Sequence, residues 1–188
     1  MNKFKKIRIL NIQQTIGSGG VEQRRLSLAK LLDKQIFEFK IICTDEIGGI
    51  ANQIREENIE VISVGGLKHP FDWMIHKKVQ KIIYDYQPHI IHGAVFEGVT
   101  MAAINGYIKR VPIIILEETS DPQNRSWRGN LLMKLFSLTA DKVIGVSPAS
   151  TNYLTSKLKL SKRKVQLINN GVAIPRKVSE TEIMTLKS

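Results

Sequence analysis

The sequence predicts an α/β fold: a parallel sheet of about seven strands with helices on both faces. Three observations predict it. Short apolar runs recur along the 188 residues, segments of helical length separate them, and the first run passes through a glycine cluster directly into a helix, in "RILNIQQTIGSGGVEQRRLSLAKLL" (8–32). Strands buried on both faces read as continuous β-branched and leucine runs, and parallel neighbours need a crossover helix between them. At this length, with 43% hydrophobic and 24% charged residues, the chain supports one core of ordinary size.

The strands are expected at Ile7–Ile12, Phe37–Thr44, Glu60–Val64, His89–His92, Pro112–Leu116, Lys142–Val146 and Val165–Ile168. In the first helix Val21, Leu28 and Leu32, with Ala29 and Leu31 at the margin, share a face, while Gln23, Lys30 and Asp33 point away. Arg24 and Arg25 fall in its first turn and read as edge-of-core or surface residues, the alternative being that one of them adds positive charge beside the glycine loop. A short helix follows at Gly49–Glu57 and a longer one at Asp72–Tyr86, its start read as buried by Phe71 and Trp73, with a membrane-facing element around Trp73 as the alternative, and its end set by Gln87–Pro88. Further helices are expected at Glu97–Lys109, Gly129–Thr139 and Pro148–Leu158, the last capped by Ser147 with Pro148 in the first helical position. Residues 1–172 form the domain; 173–188 lose the strand pattern and read as a linker towards a further domain, with a helix beginning near Ser179.

Lys and Arg number 28 against 17 Asp and Glu, a formal charge of +11, which favours phosphate-rich partners: nucleotides, nucleic acid or an anionic membrane surface. Zinc-finger spacing, RNA-recognition aromatics and a long basic arm are missing, which argues against nucleic acid. Cys43, the only cysteine, lies in an apolar run and reads as core filler, so no disulfide framework forms. The N-terminal apolar run is too short for a signal peptide, and no window reaches transmembrane length. A cytoplasmic protein, peripheral at most on the inner face of a membrane, is expected.

In an open parallel sheet, ligands bind beyond the carboxyl ends of the strands, where helix N-termini present unpaired amides. Gly17, Gly19 and Gly20 stand there after the first strand. No lysine and hydroxyl pair follows them, so a Walker A loop is excluded. A dinucleotide fingerprint is matched by Gly17 and Gly19, with Asp45 after the second strand in the ribose-binding place, but Glu22 occupies its third glycine position. An NAD(P)-dependent oxidoreductase therefore remains as an alternative.

"GSGGVEQRRLSLAKLL" resembles the first loop and helix of the GT-B glycosyltransferases of family 4, in which G-G-x-E-R precedes L-x-x-L-A-x-x-L: Gly19, Gly20 and Glu22 match, and Gln23 replaces the arginine. Three further segments follow in the family's order. "QPHIIHG" resembles P-D-I-V-H, with Pro88 and His92 matching and His89 replacing the aspartate; "ADKVIGVSPASTNYL" resembles A-D-x-V-I-A-V-S followed by a helix; and "KVQLINNGV" resembles K-V-x-V-I-P-N-G-V, with Asn169 replacing the proline. The resemblance runs from about Ile7 to Val172. It implies the N-terminal, acceptor-side Rossmann-like domain of a two-domain GT-B enzyme. That enzyme would transfer a sugar, usually with retention, from a nucleotide diphosphate sugar to a saccharide or polyprenyl-linked acceptor, without a required metal or other cofactor. The resemblance implies that the nucleotide is held by a further, C-terminal domain bearing an E-x7-E motif, so the chain alone is expected to be inactive. A non-catalytic half-enzyme that recruits a partner is the other alternative.

Within that reading the amides of Ser18, Gly19 and Gly20 face the donor diphosphate. Glu117 and Glu118 end the strand "PIIILEE", and being adjacent they face opposite ways. Each is a candidate for sugar hydroxyls, or alternatively a helix cap or a partner for Arg125 or Arg128. Glu118 stands where the family often has a histidine that contacts the donor sugar. His92 ends its strand in the same layer, and His92 and Glu118 are the catalytic candidates. Arg125, Trp127 and Arg128 lie in the polar segment Thr119–Asn130, where an aromatic beside arginines can stack on a sugar, anchor at lipid headgroups or pack down. Asn170, in the turn at Asn169–Gly171, leads into the cleft between domains. His69, His76, His89 and His92 have no metal-ligand spacing.

Overall fold

A computed structural model describes residues 6–119 and 125–171. The elements alternate as expected: β1 (Ile7–Ile12), β2 (Thr15–Ile16), α1 (Gly20–Leu31), β3 (Phe37–Cys43), β4 (Asp45–Glu46), α2 (Ile50–Glu56), β5 (Glu60–Ser63), α3 (Trp73–Tyr86), β6 (Ile90–Ala94), α4 (Val95–Ile108), β7 (Ile113–Glu118), α5 (Trp127–Thr139), β8 (Lys142–Gly145), α6 (Pro148–Asn152) and β9 (Val165–Leu167). Seven strands form one sheet in the order β5-β3-β1-β6-β7-β8-β9, every neighbouring pair parallel. The chain moves outward from β1 to β5, returns beside β1 at β6, and moves outward again. The carboxyl ends of β1 and β6 are therefore the switch point at which such sheets bind ligands. The linker expected over 173–188 lies outside the described residues.

Strand alternation sorts the core into two layers. Leu10, Ile12, Ile42, Ile91, Ile114, Leu116 and Val143 pack against α3, α4 and α5, while Phe39, Ile41, Cys43 and Val61 pack against α1 and α2. Burial pushes the Cys43 thiol up to about 12, as the core-filler reading requires. Gly98 permits the closest approach in this packing, because a Cβ on it would stand 2.4 Å from the Ile12 carbonyl oxygen. The start of α4 thus lies directly on the end of β1.

Helix ends follow local chemistry. Asp72 caps α3 through the Met74 amide, Gln87 before Pro88 turns left-handed at φ 49°, and Ser147 and Ser150 close a reciprocal capping box on α6. Three expectations are corrected, and one feature is new. The helix predicted over Pro148–Leu158 changes at Tyr153 into a π-helical turn (Tyr153–Lys157). The short parallel pair β2–β4 was not foreseen, since two-residue strands leave no periodic signal. The inward face of α1 is Arg25, Leu26 and Ala29, with Leu31 83% exposed. Phe71 and Trp73 do not bury the start of α3; they are 61% and 49% exposed, because Ile75, His76 and Val79 turn inward instead.

Candidate functional site

Three strands deliver polar side chains to the α1 side of the sheet near its carboxyl edge. Asn11 on β1 sits opposite His92 on β6, and Glu117 lies on β7 one strand further. Asn11 is fully buried, and Glu117 retains 4% exposure. The Asn11 amide nitrogen Nδ2 lies 3.3 Å from His92 Nδ1 and donates to the His92 carbonyl at 3.1 Å. An acceptor role for Nδ1 leaves the ring proton on Nε2. That atom lies 2.9 Å from Glu117 Oε2, though out of line for a straight hydrogen bond.

α1 supplies the opposing charge. Arg25 Nη2 donates to Glu117 Oε2 at 2.7 Å and Arg24 Nη1 donates to Glu117 Oε1 at 2.8 Å, so both carboxylate oxygens are taken. Arg24 Nη1 also donates to Asn170 Oδ1 at 2.5 Å, tying α1 to the turn after β9. Burial alone would raise the Glu117 carboxyl, but the His92 ring and the Arg25 guanidinium outweigh it and hold the group well below the usual carboxylate range. Burial, with the charge of Arg25, lowers His92 against the pull of Glu117, so the ring is held neutral. For Arg25 the expectation of a surface or edge-of-core residue is overturned, because it is 96% buried in an ion pair, whereas Arg24, its side chain 18% exposed, lies at the edge of the core as expected.

The adjacent Glu118 faces the other side of the sheet, as strand geometry requires. It takes two bonds from Arg125, at 2.6 and 3.1 Å, and the Arg125 guanidinium lies 5.7 Å from the rings of both Phe96 and Tyr153. The partner role for Arg125 is thereby realised, and the two carboxylates form separate ion pairs rather than one dyad. Arg128 joins neither; its guanidinium stacks 5.4 Å from the Trp127 ring on an exposed helix start. Ser18, Gly19 and Gly20 are exposed and lead into α1, whose N-cap Gly19 makes no side-chain cap bond. A Cβ on Gly19 would stand 2.6 Å from Glu22 Oε2, so that carboxylate curls over the helix start.

Further groups near this edge escaped the sequence reading. Val95, at the junction of β6 and α4, has φ 61°, a strained value for a β-branched residue. Glu97 in the next turn keeps Oε2 without a partner among the described residues, and burial raises its carboxyl. Among the described residues no group of three His, Cys, Asp or Glu could hold a metal ion, and no helix is long and apolar enough to cross a membrane.

A seven-stranded parallel sheet with this strand order, a glycine loop after β1 and charged groups at the carboxyl edge is a Rossmann-like domain of the kind found in GT-B glycosyltransferases. The model of the family described as Glycosyltransferase Family 4 matches residues 18–176, and the chain belongs to that family. The fold is similar to a glycosyltransferase from Rickettsia africae, at 21% identity over 97% of this chain and 49% of that one, with a TM-score of 0.76. It is also similar to HepE of Anabaena in complex with UDP and glucose, at 18% identity over 96% and 49%, with a TM-score of 0.80. A putative UDP-N-acetylglucosamine 2-epimerase from Listeria monocytogenes shares the fold at 14% identity over 86% and 45%, with a TM-score of 0.62. The chain thus spans about half the length of these structures. A search of curated proteins gives no match.

Proposed function

We propose that the chain is the acceptor-side domain of a retaining glycosyltransferase, probing a nucleotide diphosphate sugar with its glycine loop and a saccharide or polyprenyl-linked acceptor with its carboxyl edge. Cell-envelope polysaccharide synthesis in the cytoplasm is the setting proposed. One observation carries the reading: a family 4 sequence places its glycine loop, His92 and both terminal glutamates of β7 at one edge of the sheet. The complex of HepE with UDP and glucose supports a nucleotide sugar as donor.

In the reaction, the bond from the anomeric carbon to the diphosphate breaks with its electron pair leaving on phosphate. The acceptor oxygen bonds that carbon, and the acceptor proton passes to the departing phosphate. Ser18, Gly19 and Gly20 amides stabilise the leaving charge. Glu118 and His92 are the catalytic candidates, Glu118 reached through Arg125 and His92 through the network it shares with Glu117; Arg125, Arg128 and Asn170 contact substrate. The donor is bound with the help of a second domain, linked through 173–188, and no further cofactor takes part.

The lipid-linked acceptor is supported by the outer face of α3 and α5. Trp73, Met74, Trp127, Leu131, Leu135 and Leu138 are 49, 74, 69, 49, 48 and 68% exposed. Lys77, Lys78, Lys81, Arg128 and Lys134 are exposed among them. This face suits an anionic bilayer.

The test uses the full gene product with a panel of UDP-, GDP- and ADP-sugars and a lipid extract as acceptor. Transfer of label into lipid, with the anomeric configuration read by NMR, is the expected result. Quenching of tryptophan fluorescence by NADH without transfer from any nucleotide sugar sinks the reading in favour of the oxidoreductase alternative. Absence of transfer combined with capture of a second polypeptide favours the half-enzyme.

A further inference from the structure

Two arginines face one carboxylate beside α1. Glu117 neutralises a single charge, and His92 is held neutral, so the cluster keeps one surplus positive charge. The surplus sits largely out of water: Arg25 is 5% and Arg24 is 18% exposed. Burying an uncompensated charge is costly unless an opposite charge meets it.

The space for that opposite charge lies on both flanks of Arg24. A cavity of about 550 Å³ is lined by Gly20, Gln23, Arg24, Ser27, Thr119 and Asn170. A second, of about 360 Å³, is lined by Arg24, Arg25, His92 and Glu117 among others. Among the described residues Glu117 is the only acid lining either. Arg25 Nε is buried without a partner among the described residues, a further donor beside the second cavity. The Glu22 carboxylate lies instead over Gly19, at the tip of the loop.

We propose that Arg24 is the ligand-binding arm of a phosphate site between α1 and the Asn169–Gly171 turn. With the site empty, its guanidinium rests on Glu117 and on Asn170; with a phosphate group in the larger cavity, it turns from Asn170 onto the phosphate oxygens. Arg25 stays on Glu117 and holds the carboxylate in place. Guanidinium geometry matches phosphate in a two-pronged contact, and the hydroxyls of Ser27 and Thr119 line the same space. The choice of phosphate over other anions rests on the transferase reading above. The phosphate belongs either to the nucleotide diphosphate of the donor or to a phosphorylated acceptor.

Calorimetric titration of the chain with inorganic pyrophosphate, UDP, uridine and geranyl phosphate tests the assignment. Phosphate-bearing ligands bind and uridine does not. Arg24→Ala weakens the phosphate-bearing ligands by about tenfold or more, and Arg24→Lys, which keeps the charge, recovers part of the loss. Preference for UDP identifies the donor as the source, and preference for geranyl phosphate a phosphorylated acceptor. Circular dichroism and melting of each variant separate this loss from a structural one: a purely structural Arg24 lowers the melting temperature and leaves affinity unchanged. Affinity of folded Arg24→Ala within about twofold of the unmodified chain overturns the proposal, as does an unmodified chain that binds no phosphate at millimolar concentration. UDP affinity that survives Arg24→Ala sinks the Arg24 assignment while leaving the transferase reading intact. Arg24-dependent pyrophosphate binding in a full gene product that transfers no sugar does the reverse.

Discussion

Glu117 holds the site together because four groups converge on it: Arg24, Arg25, His92 and, through His92, Asn11. Glu117→Gln leaves both arginines without a counter-charge, and such one-sided breaking of a buried pair costs about 3–5 kcal/mol. Urea unfolding should show that loss; a variant as stable as the parent would mean that water already screens the cluster. The same groups set an acid limit. The unfolded His92 takes a proton below its ordinary value of 6.5, whereas the buried ring resists it. Stability present above that value is therefore lost as pH falls, and Glu117, held below its ordinary 4.5, adds a loss of the same sign at lower pH. Urea midpoints from about pH 7 to about pH 5 should decline less steeply in His92→Gln. Equal slopes would show that His92 is not the group responsible.

Among the elements, α4 has the tightest seat. Gly93 and Gly98 leave no room for a side chain between β6, α4 and the end of β1. Gly98→Ala drives a methyl group into the Ile12 carbonyl and should destabilise the fold by about 1–3 kcal/mol, measured by denaturant titration. An unchanged midpoint would show that α4 can shift without cost. Element positions were legible in the sequence because apolar runs and proline or capping signals act locally. α1 shows where that reading fails. Its leucines suggested an inward face with Leu31 at the margin, yet Arg25 takes an inward position because Glu117 waits there. A buried ion pair between residues 92 positions apart has no local signature in either segment.

Charge is unevenly distributed over the whole molecule. The exposed positions of α5 carry Arg128 and Lys134 and no acid, and those of α3 carry three lysines and one aspartate, Asp85, whereas α1 and α2 present Glu22 and Glu56 among their cations. With each surface cation worth about 1 kcal/mol near anionic lipid, the chain should co-sediment with phosphatidylglycerol vesicles and be released by salt. A double Trp127→Ser, Leu131→Ser variant should bind less. Equal partition into neutral phosphatidylcholine vesicles, or no effect of the double substitution, would remove this face from the acceptor reading.

The sequence by itself determined the α/β class, the positions of its seven main strands along the chain, the glycine loop after the first, and the family resemblance that the matched family model bears out. These depend on periodicity and short motifs, which neighbouring residues specify. The tertiary structure alone decided that Glu117 pairs with Arg24 and Arg25, that Arg24 also reaches Asn170, and that Phe71 and Trp73 stay in solvent. Those outcomes depend on which distant side chains meet when the layers close, and on the charge that must be balanced once water is excluded.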